Sequence, residues 1–297
     1  MNNKKVLIFK HGSIGDIFMA FSSITSIIEY YENITICSTK SGFKTLDLLN
    51  KSFQKIEDNR SKNFFTNIKV VRKIIKENFD IVIDLQNSGR TSFYLLILKI
   101  FANTITNGTS RFANLVYKKK DRNEHAIHGL ENQISLLNIP IQNSKINPNR
   151  KILKQIVFVP GSSVNGKQKR WPIENYIKLM NFLSNKNITS IVIGGKEEDD
   201  LFDKIPKDNQ FIVNLIGNSP WSEVKKIALS SIMAITNDTS AMHFISNLNI
   251  PIIAIMNDNN YAARNYPLSD KSIVVKSGNI KNISTERLIN EISKFIE

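Results

Sequence analysis

Short runs of aliphatic and β-branched residues alternate with segments whose apolar positions recur every three or four residues, from one end of the 297-residue chain to the other. Such alternation predicts βα units built around parallel sheets, an α/β fold. In the first half it predicts strands at 6–9, 34–38 and 80–85, with a weaker one at 104–107. In the second half the series continues at 156–159, 190–193, 213–216, 232–236, 252–256 and 273–276. The helix after the first strand carries Ile14, Phe18 and Phe21 on one stripe and Ile17, Ala20, Ile24 and Ile27 on another. Apolar side chains cover most of its circumference, which predicts a helix buried between layers. The closing segment, 284–296, reads as an amphipathic helix with Ser284 as N-cap and Arg287 three residues on.

The two series are separated at 138–154 by a stretch holding Pro140, Pro148 and several Asn and Lys residues but little helical periodicity. It reads as a linker. Two domains are therefore expected, 1–148 and 149–297, each of a size that closes a core of its own. The terminal helix, 284–296, is a candidate to pack back on the first domain.

Composition narrows the classes. The longest strongly apolar stretch, 93–101, is interrupted by Lys99 and is well short of the roughly 20 residues that span a bilayer. The start of the chain runs straight into a strand with no signal-peptide pattern, so a cytoplasmic protein is expected. Cys37 is the sole cysteine, which excludes intramolecular disulfides and clusters of thiolates, and its place in a strand predicts a buried, inert thiol. An excess of 40 Lys and Arg over 26 Asp and Glu, net +14, favours anionic partners: nucleotides, phosphorylated glycolipids, membrane headgroups or nucleic acid. Richness in Lys, Asn and Ile is also what an A+T-rich genome would write, so part of that charge is open to a compositional origin.

Four segments following strands carry candidate chemistry. In Lys10-His11-Gly12-Ser13-Ile14-Gly15-Asp16 the glycines allow a tight turn and the following helix offers unpaired N–H groups to an anion. The spacing is neither that of a P-loop nor that of GxGxxG. Asp16 suits either the helix dipole or a base that takes a proton from a hydroxyl. Pro160-Gly161-Ser162-Ser163 followed by Lys169-Arg170-Trp171-Pro172 combines hydroxyls, amides and cations suited to phosphate, or else forms a solvated basic loop. In Asn237-Asp238-Thr239-Ser240-Ala241-Met242-His243, Asp238 or Thr239 fits an N-cap and His243 lies one turn inside. Gly194-Gly195-Lys196-Glu197-Glu198 puts carboxylates where ribose hydroxyls could bind, or where a helix simply begins. His125 and His128, three apart on an expected helix, lack the neighbours of a metal site. No Asp-x-Asp occurs, so no metal ion and no cofactor are expected.

In their order and spacing these segments, with Asp-Ile-Val-Ile-Asp-Leu-Gln (80–86) and the His125 helix ending in Leu136-Leu137-Asn138-Ile139, resemble glycosyltransferase family 9, the ADP-heptose:lipopolysaccharide heptosyltransferases. The resemblance implies a GT-B fold, two Rossmann-like domains facing across a cleft, with acceptor mainly on the first and nucleotide sugar mainly on the second. It implies an inverting transfer in which Asp16 is the catalytic base and Lys169 the cation beside the departing diphosphate. Ser162 and Ser163 match phosphate contacts, Glu198, with Glu197 as its alternative, the ribose contact, and Asp238, Thr239, Ser240 and His243 the loop beside the phosphates. Ser240 stands where the family usually has Gly, and Ser22 where a Pro is common. The implied partners are an ADP-linked nucleotide sugar and a phosphorylated glycolipid or glycan at the inner face of the cytoplasmic membrane, the protein acting as a monomer. Two alternatives stay open: a nucleotide-sugar epimerase of the same architecture, and a basic nucleic-acid-binding protein, although stacking clusters and a helix-turn-helix pattern are missing.

Overall fold

The computed structural model describes residues 2–119, 121–142 and 150–296, and the chain divides into two compact units, Met1–Asn143 and Ser144–Glu297. The boundary expected between 148 and 149 lies outside the described residues.

In the first unit six strands, β1 (Asn2–Phe9), β2 (Tyr31–Ser38), β3 (Gln54–Glu57), β4 (Ile81–Asp84), β5 (Ile105–Gly108) and β6 (Leu115–Val116), form one parallel sheet in the order β3-β2-β1-β4-β5-β6. Between them run α1 (Ile14–Met19), α2 (Phe21–Tyr30), α3 (Lys40–Leu46), α4 (Phe64–Glu77) and α5 (Gly89–Phe101), and α6 (Ala126–Ser135) follows. β3 and β6 escaped the hydrophobic pattern because β3 buries only Ile56 of its four residues and β6 is two residues long. The single helix expected after β1 is broken at Ala20 into α1 and α2. Ile17, Phe18, Ile24 and Ile27 are buried as expected, whereas Ile14, the first residue of the helix past the carboxyl end of β1, is exposed.

The second unit repeats the plan. Strands β7 (Gln155–Val159), β8 (Thr189–Gly194), β9 (Ile212–Ile216), β10 (Met233–Asn237), β11 (Ile252–Asn257) and β12 (Ser272–Ser277) are all parallel, in the order β12-β11-β10-β7-β8-β9. Numbered within its own unit, each sheet has the strand order 3-2-1-4-5-6, the doubly wound arrangement whose ligand crevice opens where the order reverses. That point lies between β1 and β4 in one unit and between β7 and β10 in the other. The helices are α7 (Ile173–Ser184), α8 (Asp199–Phe202), α9 (Trp221–Ser230), α10 (Ser240–Asn247), α11 (Ala262–Asn265) and α12 (Thr285–Ile296).

The terminal helix α12 packs against α7, with Leu288 and Ile292 fully buried in the second unit's core. Each such side chain contributes about 1.5–3 kcal/mol, enough to dock a helix whose other face is polar. Its N-terminus is held as the sequence suggests, the Arg287 amide donating to Ser284 Oγ at 3.3 Å. Among the described residues no helix is long and apolar enough to cross a membrane.

Candidate active site

In the first unit the loop from β1 to α1 crosses the carboxyl end of the sheet at the reversal point. Its shape comes from three contacts. The side chain of Gln86, just beyond β4, accepts from the amides of His11 (2.8 Å) and Gly12 (2.7 Å), tying the two central strands' loops together. Ser13 caps α1, its Oγ accepting from the Asp16 amide at 3.3 Å, while Asp16 Oδ2 accepts from the Ser13 amide at 3.2 Å. A side chain at position 12 would bring its Cβ within 2.8 Å of Asp16 Cβ, so Gly12 is what lets the loop close on the carboxylate.

Asp16 thus performs the helix-capping role that the sequence allowed, with one oxygen. It also lines a cavity of about 500 Å³ at the ends of β1, β4 and β5, together with Lys10, Gln86, Thr109, Tyr117 and Lys119. The cavity floor is a closed set of amides: Gln133 donates to Asp84 O and Asn107 Oδ1, each at 3.0 Å, and accepts from Asn87 Nδ2 at 2.8 Å. Burial pushes the Lys10 ammonium down to about 8, against the pull of Asp16 and Asp84, and its Nζ donates to Leu85 O at 3.1 Å. Burial pushes the Asp84 carboxyl up to about 6, and its Oδ2 meets no hydrogen-bond partner among the described residues. Lys10, Asp84 and Gln86 lie within sequence motifs that by themselves give these residues no role. Their position after the two strands flanking the reversal was the available signal.

Behind the loop His11, Cys37 and Asp58 are buried within 4.8 Å of one another, a grouping with metal-ligand chemistry. Asp58 is already engaged: His11 Nε2 lies 3.1 Å from Oδ2, Tyr94 Oη donates to Oδ2 at 2.9 Å, and the Arg60 amide donates to Oδ1 at 2.9 Å. Burial alone would raise its carboxyl, but these hydrogen bonds bring it down to about 2. The cluster is a hydrogen-bonded support for the β1 loop, and burial raises the Cys37 thiol, consistent with an inert group. His125, expected inside a helix, is instead the N-cap of α6, its Nδ1 accepting from the Ile127 amide at 3.2 Å. His128 is exposed beside Glu131.

In the second unit the three sequence signals come together at the carboxyl ends of β7, β8 and β10. Asn237 closes β10 and stitches the neighbouring loops. Its Nδ2 donates to Pro160 O at 2.6 Å, and its Oδ1 accepts from Tyr176 Oη at 2.9 Å and the Trp171 amide at 3.3 Å. Lys169 pairs with Asp238 at 2.7 Å and sits 4.3 Å from the centre of the Tyr261 ring, about a third exposed. Ser163 is exposed ahead of a 3-10 turn, Val164–Lys169. Ser162 is buried, its Oγ accepting from Arg170 Nε at 3.0 Å, and Arg170 also grips Asp200 at 2.8 and 3.0 Å. Sequence alone marks Arg170 as one of a basic pair and does not show this role. Of the two candidate caps it is Thr239 that caps α10, accepting from the Met242 amide at 3.4 Å, with Ser240 the first helical residue and His243 buried one turn on.

Glu198 is 7% exposed and bends back to accept from the Gly195 amide. Burial, with Glu197 and Asp200 adding to it, pushes its carboxyl up to about 7 despite that hydrogen bond and Arg170. A Cβ on Gly161 would stand 2.0 Å from Glu198 Oε1, so the glycine is required for the carboxylate to reach the β7 loop.

A profile of glycosyltransferase family 9 (heptosyltransferase) matches residues 67–292, more than half of the chain. The chain belongs to glycosyltransferase family 9. Lipooligosaccharide heptosyltransferase 2 of Haemophilus influenzae is 24% identical over 236 residues, 69% of this chain and 67% of that protein. Among solved structures, a family 9 glycosyltransferase from Veillonella parvula superposes with a TM-score of 0.80 at 18% identity, covering 100% of this chain and 98% of that one. The E. coli heptosyltransferase WaaC with ADP gives 0.78 at 15%, covering 98% and 99%. The architecture of this family 9 enzyme is GT-B, two six-stranded parallel α/β units. The profile match begins after the Asp16 loop, and the full-length structural likeness covers the fold of both units.

Proposed function

We propose that this family 9 glycosyltransferase moves a heptose or related sugar from an ADP-sugar to a hydroxyl of a phosphorylated glycolipid or glycan at the cytoplasmic membrane face, with inversion. The observation that carries the reading is a carboxylate, Asp16, oriented by its own helix cap at the wall of a 500 Å³ cavity, with a buried lysine beside it. The acceptor hydroxyl gives its proton to Asp16 as its oxygen bonds to the anomeric carbon, and the bond to the diphosphate breaks on the opposite face.

The second unit supplies the donor side. Lys169 has two N–H donors beyond the one given to Asp238, and these meet charge growing on the departing ADP. Ser162, Ser163, Thr239, Ser240 and His243 surround the phosphates, and Glu198 takes a ribose hydroxyl. The E. coli WaaC structures hold ADP and ADP-2-deoxy-2-fluoro heptose, which supports an adenine nucleotide as donor. With no Asp-x-Asp in the chain, the leaving charge falls to these side chains and helix amides.

Asp16→Asn retains an oxygen for the Ser13 amide and removes the base. It should lower transfer about a hundred- to ten-thousand-fold with ADP affinity and thermal unfolding nearly unchanged, measured by product mass spectrometry and calorimetry. Turnover within a few-fold of wild type would overturn the assignment. Incubating ADP-heptose with enzyme and no acceptor tests the epimerase alternative: a new nucleotide sugar in that mixture would replace transfer as the reaction.

A further inference from the structure

The first unit carries one surface that the transfer chemistry does not use. Helix α4 begins with two adjacent phenylalanines, Phe64 and Phe65, which are 58% and 75% exposed. Phe64 and the half-buried Phe93 of α5 lie 5.9 Å apart, making a raised aromatic edge. Phe65, Lys69, Arg72, Lys73 and Lys76 fall at helical spacing on one stripe and all five are exposed, while Val71 and Ile74 on the opposite side are buried in the core. From residue 59 to residue 76 the chain has six cations, Arg60, Lys62, Lys69, Arg72, Lys73 and Lys76, and no acid. Among the described residues, no carboxylate lies within ion-pairing distance of the four cations on the stripe.

Exposed aromatic residues at the tip of a helix with a cationic stripe, whose one acid, Glu77, is held by Lys5, match one occupant in both chemistries, an anionic lipid surface. The rings enter the boundary of the acyl chains and the cations meet headgroup phosphates. A nucleic-acid duplex, its bases already paired and stacked, would satisfy the cations but leave two neighbouring phenylalanines in water, and a second copy of this helix would bring like charges together.

We propose that α4 docks the protein on anionic bilayers, Phe64 and Phe65 inserting and the Lys69–Arg72–Lys73–Lys76 stripe lying on the headgroups. The dock is mechanically tied to the candidate site. Arg90 of α5 holds the start of α4, donating to Ser61 O at 2.7 Å and to Asn67 Oδ1. Its neighbour one turn on, Tyr94, hydrogen-bonds Asp58, which pairs with His11 in the loop that carries Asp16. The β1 loop is therefore held at a fixed place relative to the docked helix, whichever sugar is transferred.

The test is co-sedimentation of the full chain with vesicles of phosphatidylethanolamine and phosphatidylglycerol, against pure phosphatidylcholine, with no sugar present so that a wrong donor or acceptor assignment leaves the result unaffected. Wild type should bind the anionic vesicles and lose binding in high salt. Phe64→Ser with Phe65→Ser should abolish pelleting, and Lys69→Gln with Lys73→Gln should weaken it about thirtyfold. Exposure of both pairs makes unfolding an unneeded explanation, and circular dichroism checks it. Equal binding of wild type to both vesicle types, or unchanged binding by the phenylalanine variant, would overturn the proposal. So would a wild-type dimer in sedimentation velocity that the phenylalanine variant dissolves, since the patch would then be a protein interface.

Discussion

Glu198 shows how much of a site can rest on one missing side chain. Its carboxyl reaches the β7 loop only because position 161 is a glycine, and the reach buries it. An acid whose folded-state value is raised to about 7 keeps its proton when the unfolded chain, near 4.5, has lost it. Folding stability from this group therefore falls as pH rises from 4.5 to 7 and is level above that. Glu198→Gln should remove this dependence. In urea unfolding the variant should gain on wild type across that window and hold the gain at pH 8, whereas a difference that does not change with pH would refute the burial argument. The sequence marked Glu198 as a ribose contact by resemblance. It had no way to show that the residue bends onto its own loop, because that depends on a strand neighbour 37 positions earlier, across β7 and β8.

At the scale of elements, function depends on how loops leave adjacent strands. Gln86 follows β4 and holds two amides of the loop after β1, so the shape of the Asp16 turn is set by a residue 70 positions away in sequence. Gln86→Ala should destabilise the fold by about 1–3 kcal/mol, read in urea, and should lower kcat more than it changes donor KM. Gln86→Glu, which keeps an accepting oxygen, should restore most of kcat, and failure of that rescue would leave Gln86 a packing residue only. The central strands of both sheets were legible because parallel strands buried on both faces are continuous apolar runs, as in β1, β7 and β11. Edge strand β3 was hidden by its polar faces, and the break at Ala20 was hidden because both halves of the helix are equally apolar. Local capping was readable where a hydroxyl precedes a helix, at Thr239 and Ser284, while the Ser13 cap went unread. Arg170, Asn237 and Asp84 were not readable, since each acts on a partner that only strand order brings near.

For the molecule as a whole, two units share one strand order, and the proposed transfer assigns each a different ligand. If the donor nucleotide occupies the second unit's reversal point, ADP should slow hydrogen exchange at residues 160–172 and 237–243 and leave 10–16 unchanged when acceptor is absent. Protection confined to the first unit would reverse the assignment of donor and acceptor. The placement of α12 has another outcome, for synthesis. Its apolar face fills the second core, and the core beneath β1, β2 and β4 draws its members from residues 7 to 113. A ribosome that has released the first 143 residues has therefore already made every strand of the first sheet and the residues of that core. The Asp16 loop can reach its final shape while the last helix is still being translated.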